Sequence, residues 1–540
     1  MSDTTEPMEI ELKLVLPGHA EESAVVGYLS KKRYTVEKLD PLRNVDTYLD
    51  TFDWSLKKSK LALRYRVSNG TAVYAVKSIG PIEDGIGRRM ETEIALDGPV
   101  ELPTAIPVKR IRKLVGAIIF PRKLIEQVQV RTDRRRFRVV TPEGAEIELA
   151  FDTSTFSPRG LHKPGRTQKL NELEAEILNG PETALKALSS LLLSKFGFTP
   201  STVSKFEVAI ERLKIAIPSK KAPEKLRVRL DDRLDAAVRK ILTFQLQRFR
   251  EQLPGVLGDI DTEFVHQARV ATRRMRSALR LFRLATPERT GSYLEGELKW
   301  LCEKFGRVRD LDVFLLNLSR FKEKMGRFPG SKKRIFENLV EKHRHSLLDV
   351  LCRALESSRH KTFERRLTQF LERPLPSRPR APLAANTIRE VAPVLITEKF
   401  DAVIQQGSTV LAKPKLREFH RLRIQMKRLR YACEFMAPAY EGALDPFIER
   451  MVEIQDCLGD LQDTVFTRKF IDSLYGDWKG NVVDPYLLFI LGELYQLQAE
   501  IARERRGAFG NIWQPFSSEG TISLLKEILC VQPKAVLGKE

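Results

Sequence analysis

Cysteine is scarce in this chain. Its five cysteines, Cys302, Cys352, Cys433, Cys457 and Cys530, are odd in number and form no CxxC pair, which argues against a disulfide framework or a structural zinc site and fits a reducing compartment. Long apolar runs are missing too. LVGAIIF (114–120) and YLLFIL (486–491) are among the longest, far below the ~20 residues of a membrane-spanning helix. The opening MSDTTEPMEIE is acidic and polar, unlike the basic-then-apolar entry of a secretory signal, so the expected location is the cytoplasm. Acidic charge is in deficit: 92 Lys+Arg face 71 Asp+Glu, a net charge of +21. Such an excess favours polyanionic partners, whether nucleic acid, anionic membrane or phosphate compounds. What remains, 42% hydrophobic and 30% charged residues, is ordinary for a soluble globular protein, and the length allows about two to four domains.

Charge and pattern change together near residue 220. Residues 1–220 hold 35 Lys+Arg against 29 Asp+Glu (+6), leaving 57 against 42 (+15) for residues 221–540. Up to about residue 215, short β-rich segments alternate with the turn signals SNG (68–70), DGIG (84–87) and PEG (142–144). IPSKKAPEK (217–225) reads as a linker. Helical stretches such as DAAVRKILTFQLQRFREQL (235–253) follow, with apolar residues at three- and four-residue spacing. RPLPSRPRAP (373–382) carries four prolines and cannot be helix. The expected class is an α+β multidomain protein: a β-rich domain over 5–215, a linker over 216–225, and a helical domain over 226–515. The helical domain divides into lobes at about 226–372 and 388–515, joined by a Pro-rich connection (373–387), with a tail over 516–540.

In the first domain, strand parity groups charged residues on one face. MEIELKLVL places Glu9, Glu11 and Lys13 on one face. LRYRV does so for Arg64 and Arg66, RMETEIAL for Arg89, Glu91 and Glu93, RRRFRV for Arg134, Arg136 and Arg138, and NELEAEIL for Glu172, Glu174 and Glu176. Lys77 ends VYAVK, and Asp152 follows EIELAF. One such strand reads as half-buried with a solvated face, but solvated faces mix Ser, Thr, Gln and Lys. Opposed blocks of carboxylate and guanidinium suit a metal-bound polyanion instead. Mg²⁺ or Mn²⁺ takes oxygen ligands, arginine forks grip phosphate, and a closed sheet would hold both sets around one cavity.

The order of these motifs resembles the CYTH superfamily, the triphosphate tunnel metalloenzymes. Glu9-x-Glu11-x-Lys13 is similar to its signature, VDTYLDTFDWSLKKSKLALRYRV (45–67) to its second block, and PSTVSKFEVA (200–209), with Lys205, to its closing segment. The resemblance implies an eight-stranded antiparallel tunnel that hydrolyses a triphosphate with Mg²⁺ or Mn²⁺. It assigns Glu9, Glu11 and Lys13 to catalysis, and Glu9, Glu11, Asp152, Glu172, Glu174 and Glu176 to metal. Arg64, Arg66, Lys77, Arg89, Glu91, Glu93, Arg134, Arg136 and Lys205 fall to the substrate site. The run RTDRRRFR (131–138) leaves register open, although parity favours Arg134 and Arg136 over Arg135. The motif strands offer no nucleophilic Ser, Cys or His, and His19 and His162 are expected in surface loops. Positioning and charge neutralisation carry most phosphoryl transfer, so direct attack by water is preferred to a covalent phosphoenzyme.

The helical region contains a duplication. H-x2-R-x3-[RK]-R-x-R occurs at His266, Arg269, Arg273, Arg274 and Arg276, and again at His420, Arg423, Lys427, Arg428 and Arg430, 154 residues on. FGRVRDLD (305–312) and LGDLQDT (458–464) echo it downstream. Like charges three and four residues apart on one helix face repel, so an anionic ligand accounts for both copies better than a solvated surface does. These blocks resemble the CHAD domain, the conserved-histidine α-helical domain. The resemblance implies two pseudo-symmetric four-helix bundles with a shared basic groove for inorganic polyphosphate, lined by those ten residues. Arg309, Asp310, Asp312 and Asp463 are expected to brace the arginines, and Gln462 stands where the first lobe has Arg309.

The expected function is therefore metal-dependent hydrolysis of inorganic tripolyphosphate to pyrophosphate and phosphate, tethered to polyphosphate binding, in the cytoplasm and at polyphosphate granules. Two alternatives stay open: an organic triphosphate (thiamine triphosphate or nucleotide) phosphohydrolase or cyclase, and a non-catalytic granule-binding protein. Membrane is not an expected partner. Nucleic acid is disfavoured, because base stacking needs aromatics beside the basic residues and the histidine helices carry theirs at their ends.

Overall fold

The computed structural model describes residues 8–17, 22–80, 82–83, 86–98, 109–120, 122–160, 162, 165, 167–217, 225–321, 330–478 and 484–530. Most of the linker (218–224), His19 and residues 531–540 lie outside them. The chain divides into two compact units, Met1–Lys221 and Ala222–Glu540.

Among the described residues the first unit has eleven strands: β1 (Met8–Val15), β2 (Thr35–Lys38), β3 (Leu42–Asp50), β4 (Leu61–Ser68), β5 (Thr71–Ser78), β6 (Ile82–Glu83), β7 (Ile86–Leu96), β8 (Ile125–Val140), β9 (Glu146–Pro158), β10 (Gln168–Asn179) and β11 (Thr199–Pro200). Eight of them close a ring. The order β1-β10-β9-β8-β3-β4-β5-β7 returns to β1 through the β1–β7 pairing, and every pairing is antiparallel. The β4–β5 hairpin turns at Asn69-Gly70, both at positive φ (48° and 85°), as a two-residue hairpin turn requires. Asp152 lies in the middle of β9 rather than at a strand end, because the β-prone TSTFSP continues the strand.

Both faces of the ring strands are covered. Outward-facing Leu12, Leu14, Leu149, Phe151 and Leu173 pack under helices α1 (Glu22–Lys31) and α4 (Thr183–Phe196). Leu49, Leu63, Tyr74 and Val76 pack under α2 (Ser55–Lys58) and α3 (Lys109–Ile119). A third cluster contains Tyr48, Val130, Phe156 and Leu170 together with Phe206, Ala209 and Ile210 of α5 (Lys205–Arg212). On β3, β8, β9 and β10 those four residues share strand parity with Asp46, Arg134, Asp152 and Glu172, so α5 seals one end of the ring interior with apolar side chains. A capping box formed by Ser204 and Glu207 fixes the start of α5.

Among the described residues the regular elements of the second unit are helices: α6 (Leu234–Leu257), α7 (Thr262–Leu281), α8 (Glu288–Phe321), α9 (Gly330–Glu356), α10 (Ser358–Glu372), α11 (Ile388–Ala412), α12 (Leu416–Met436), α13 (Asp445–Arg450), α14 (Val452–Trp478), α15 (Pro485–Phe516) and α16 (Glu519–Cys530). Four long helices build each half, α6–α9 and α11, α12, α14 and α15. Their starts meet, since Leu234 N–H donates to Asn386 O (2.8 Å) and Arg233 bridges Thr387. One continuous apolar core runs through both halves, and a second joins α8 and α9 to α14 and α15. The expected tail over 516–540 proves partly structural: α16 buries Leu525 and Ile528 in the shared core.

Candidate functional site

Ring parity places the charged strands around a cavity of about 520 Å³ lined by Glu11, Lys13, Asp46, Tyr48, Arg64, Arg66, Lys77, Glu91, Glu93, Arg134, Glu148, Glu174, Glu176, Ser204 and Lys205, among others. Register explains the convergence. Glu11 faces Glu176 and Lys13 faces Glu174 across β1–β10, while Asp152 faces Glu172 across β9–β10 and Arg134 across β8–β9. The side chains of Glu9 and Arg89 lie outside the described residues, although their backbones are register partners on β1 and β7.

At the centre, four carboxylates meet three cations. Lys205 Nζ contacts Asp152, Glu172 (2.9 Å) and Glu174 (3.1 Å). Lys13 pairs with Glu11 (3.0 Å) and Glu174 (2.8 Å). Arg134 forks onto Asp152 (2.9 and 2.7 Å) and also reaches Glu174. Burial pushes the Glu172 carboxyl up to about 7, against the pull of Lys205. Burial acts on Glu174 in the same direction, but Lys13, Lys205 and Arg134 outweigh it and hold that carboxyl well below its usual range. Asp152, Glu172 and Glu174 each offer an oxygen, all within 4.8 Å of one another and buried. Such an all-carboxylate set fits a hard divalent cation.

A second group sits on the β3–β4–β5–β7 wall. Arg64 pairs with Glu91 and Glu93, Lys77 with Glu91 (2.7 Å), and Arg66 forks onto Asp46 (2.6 and 2.9 Å). Glu91 and Glu93, expected in the substrate site, here hold its cations. Arg136 shares the inward parity of Arg134 but pairs with Glu148 (3.3 Å) and donates to Asp40 O (3.1 Å); Arg135 turns outward to Glu22 (3.1 Å). His162 is not a surface residue: it is half-buried against Trp54 and hydrogen-bonds Gln127 (2.9 Å), and burial lowers its pKa. Asp46, Tyr48, Glu148 and Ser204 were not singled out from sequence. Parity alone carried the signal for the first three, since Asp46 and Tyr48 alternate on β3, and Glu148 precedes Asp152 by four residues on β9.

In the helical unit, α7 and α12 lie against each other and bring the two copies of the basic motif together. Arg269, Arg273, Arg423 and Lys427 form one electrostatically coupled cluster with Asp310 and Asp463. Arg269 reaches Asp310 at 3.9 Å, and the Arg273 guanidinium sits 5.6 Å from the Tyr431 ring centre. Burial, then Arg273, Arg423 and Arg269, pulls Lys427 down to about 6. Burial and Arg309 pull His266 down to about 4. His266 Nδ1 and the Nε atoms of Arg273, Arg276 and Arg423 are buried without a hydrogen-bond partner. His420 instead pairs with Gln462 (2.7 Å).

Other members of the motif have partners away from that cluster. Arg274 donates to Glu434 (2.6 Å), which Arg430 also holds (2.6 Å) together with Gln455 (2.8 Å). Arg276 faces Glu295 (3.8 Å), and Arg428 is exposed beside Gln425 (3.3 Å). Asp312, expected to brace the groove, is buried against Arg344 of α9 (2.5 Å), which Asp259 also holds (2.9 and 3.0 Å). Its position two residues after Asp310 on α8 turns it toward α9 instead.

Comparison with known proteins agrees with this division. The CYTH domain model matches residues 7–207 and the CHAD domain model residues 240–472. The uncharacterized protein Rv2226 of Mycobacterium tuberculosis is 23% identical over 487 residues, 86% of this chain and 88% of the relative. The CHAD domain from the plant Ricinus communis (22% identity, TM-score 0.40) covers 57% of this chain and 96% of its own. HpAC1 from Hippeastrum, described as having a dominant triphosphatase activity (21% identity, TM-score 0.26), covers 38% of this chain and 96% of its own.

Proposed function

Since the chain belongs to the proteins that carry a CYTH domain and a CHAD domain, we propose that its ring unit is a metal-dependent hydrolase of inorganic tripolyphosphate and its helical unit a polyphosphate-binding module. The cavity carries this reading: cations and carboxylates enclose a space of about 520 Å³ whose charged lining suits a compact polyanion. Asp152, Glu172 and Glu174 would hold Mg²⁺ or Mn²⁺, which when bound neutralises phosphate charge and orients water. Lys13, Arg64, Arg66, Lys77, Arg134 and Lys205 bind the phosphate oxygens, and Glu91 and Asp46 keep Arg64, Lys77 and Arg66 extended toward them. Water adds to a terminal phosphorus, one P–O–P bond breaks, pyrophosphate leaves, and the water's proton is released. In the helical unit, the unpartnered Nε–H groups of Arg273 and Arg423, beside the unpartnered Nδ1 of His266, supply hydrogen bonds that phosphate oxygens accept. The reading includes a cytoplasmic location at polyphosphate granules.

Phosphate release from tripolyphosphate, thiamine triphosphate and ATP, with and without Mg²⁺ or Mn²⁺, tests it on the purified protein. Tripolyphosphate should turn over fastest, and only with metal. Glu174→Gln should lower that turnover by on the order of 10²-fold, the scale of losing one preorganised electrostatic contact. Unchanged turnover in that variant would remove the site assignment, and faster ATP or thiamine triphosphate turnover would move the substrate to an organic triphosphate.

A further inference from the structure

The carboxylates that fit a divalent cation already hold a cation of the chain's own. Among the three basic residues at the centre, Lys13 contacts Glu11 and Glu174, and Arg134 contacts Asp152 and Glu174. Lys205 alone of the three contacts Asp152, Glu172 and Glu174 together, and it is only 9% exposed. Four carboxylates, Glu11 among them, face three cations, so the cluster carries at most one net negative charge as it stands. A dication added without displacing a cation would leave a buried surplus of positive charge, which burial makes costly.

Lys205 is also built to move at its tip and not at its base. Its backbone is fixed by the Ser204–Glu207 capping box, by Ser201 N–H donating to Lys13 O (2.9 Å), and by the neighbouring Phe206 ring stacked on Tyr48 at 4.5 Å. Its ammonium, in contrast, ends a flexible four-carbon stem that lines the cavity.

We propose that Lys205 occupies the divalent-cation position when metal is absent, and that metal and phosphate load together because the displaced ammonium needs an anion to replace its carboxylates. This rests on the metal assignment made above. It makes Lys205 a competitor of the metal as well as a ligand of the substrate, so the ligand-free protein binds metal weakly and phosphate tightens that binding.

Titrating Mn²⁺ into the full-length protein, with free Mn²⁺ followed by its electron paramagnetic resonance signal, tests this without turnover. The unsubstituted protein should bind Mn²⁺ weakly alone and at least tenfold more tightly with pyrophosphate. Lys205→Met should bind Mn²⁺ alone at least tenfold more tightly than the unsubstituted protein, and pyrophosphate should then add little. Lys205→Arg, which keeps the charge, should remain weak. Equal or weaker Mn²⁺ binding by Lys205→Met with an intact melting transition, or equal binding by the Met and Arg variants, overturns the proposal. If Lys205→Met binds Mn²⁺ as tightly after Glu174→Gln is added, the metal assignment itself fails. Weak Mn²⁺ binding relieved by Lys205→Met in a protein that releases no phosphate would uphold Lys205's role while sinking the hydrolase reading.

Discussion

Lys427 shows what a buried cation without a close anion costs. Held at about 6 by burial and by Arg273, Arg423 and Arg269, it binds fewer protons folded than unfolded between about pH 6 and 10.5. Stability therefore rises with pH across that window and is lost as pH falls toward 6. Lys427→Met should flatten this dependence in thermal melts, and a slope unchanged by the substitution would refute the assignment. A bound polyphosphate would supply an anion there and raise the pKa again, so its binding at pH 8 should take up protons. Calorimetry in two buffers of different ionisation enthalpy would show this as a buffer-dependent heat. At this scale the sequence was legible wherever identical charges repeated at strand or helix period. Repeats of that kind mark Arg64, Glu174, Arg273 and Arg423. It was silent where a residue's role lies in a tertiary partner. Arg274 follows Arg273 by one residue, yet a turn of ~100° on the helix carries it to Glu434 instead.

The elements divide in the same way. Strand alternation put the charges on one face, the family resemblance implied a closed tunnel around them, and the β1–β7 pairing closes it. The outer helices α1, α3 and α4 carry no charged motif, and the need for them shows only in the apolar parity of the strands, where Leu12, Leu14, Leu149 and Phe151 require cover. The duplicated motif likewise marked α7 and α12 by period alone. α16 was read as tail because a 12-residue helix after Phe516 repeats nothing and carries no motif. Close crossings are similarly hidden in sequence. Gly407 of α11 lets the Trp513 ring of α15 approach so closely that a Cβ there would lie 1.9 Å from it. Gly407→Ala must shift an indole that is 2% exposed, and overpacking of this kind costs about 1–3 kcal/mol. Denaturant melts of the full chain should show that loss, whereas Gly296→Ala, with open space around its would-be Cβ, should not. Equal effects at both positions would remove packing as the cause.

For the molecule as a whole, the net charge of +21 resolves into two uses of the same chemistry. In the ring unit cations and carboxylates are interleaved to near balance, which suits taking in a metal and a short polyanion together. In the helical unit the carboxylates beside Arg269, Arg273, Arg423 and Lys427 among the described residues are Asp310 and Asp463, which suits holding a long anion by surplus charge. The two uses should therefore be separable within one intact chain. Glu174→Gln should lower tripolyphosphate turnover by on the order of 10²-fold and leave retention on immobilised long-chain polyphosphate unchanged. The double variant Arg423→Ala, Lys427→Met should do the reverse, keeping turnover of tripolyphosphate while losing retention. Retention should also weaken steeply as salt rises, because each neutralised phosphate releases a condensed counterion, and the double variant should show a shallower salt slope than the unsubstituted protein. Loss of both properties in either variant would mean that one site serves both ligands, and the division of labour read from the charge distribution would be wrong.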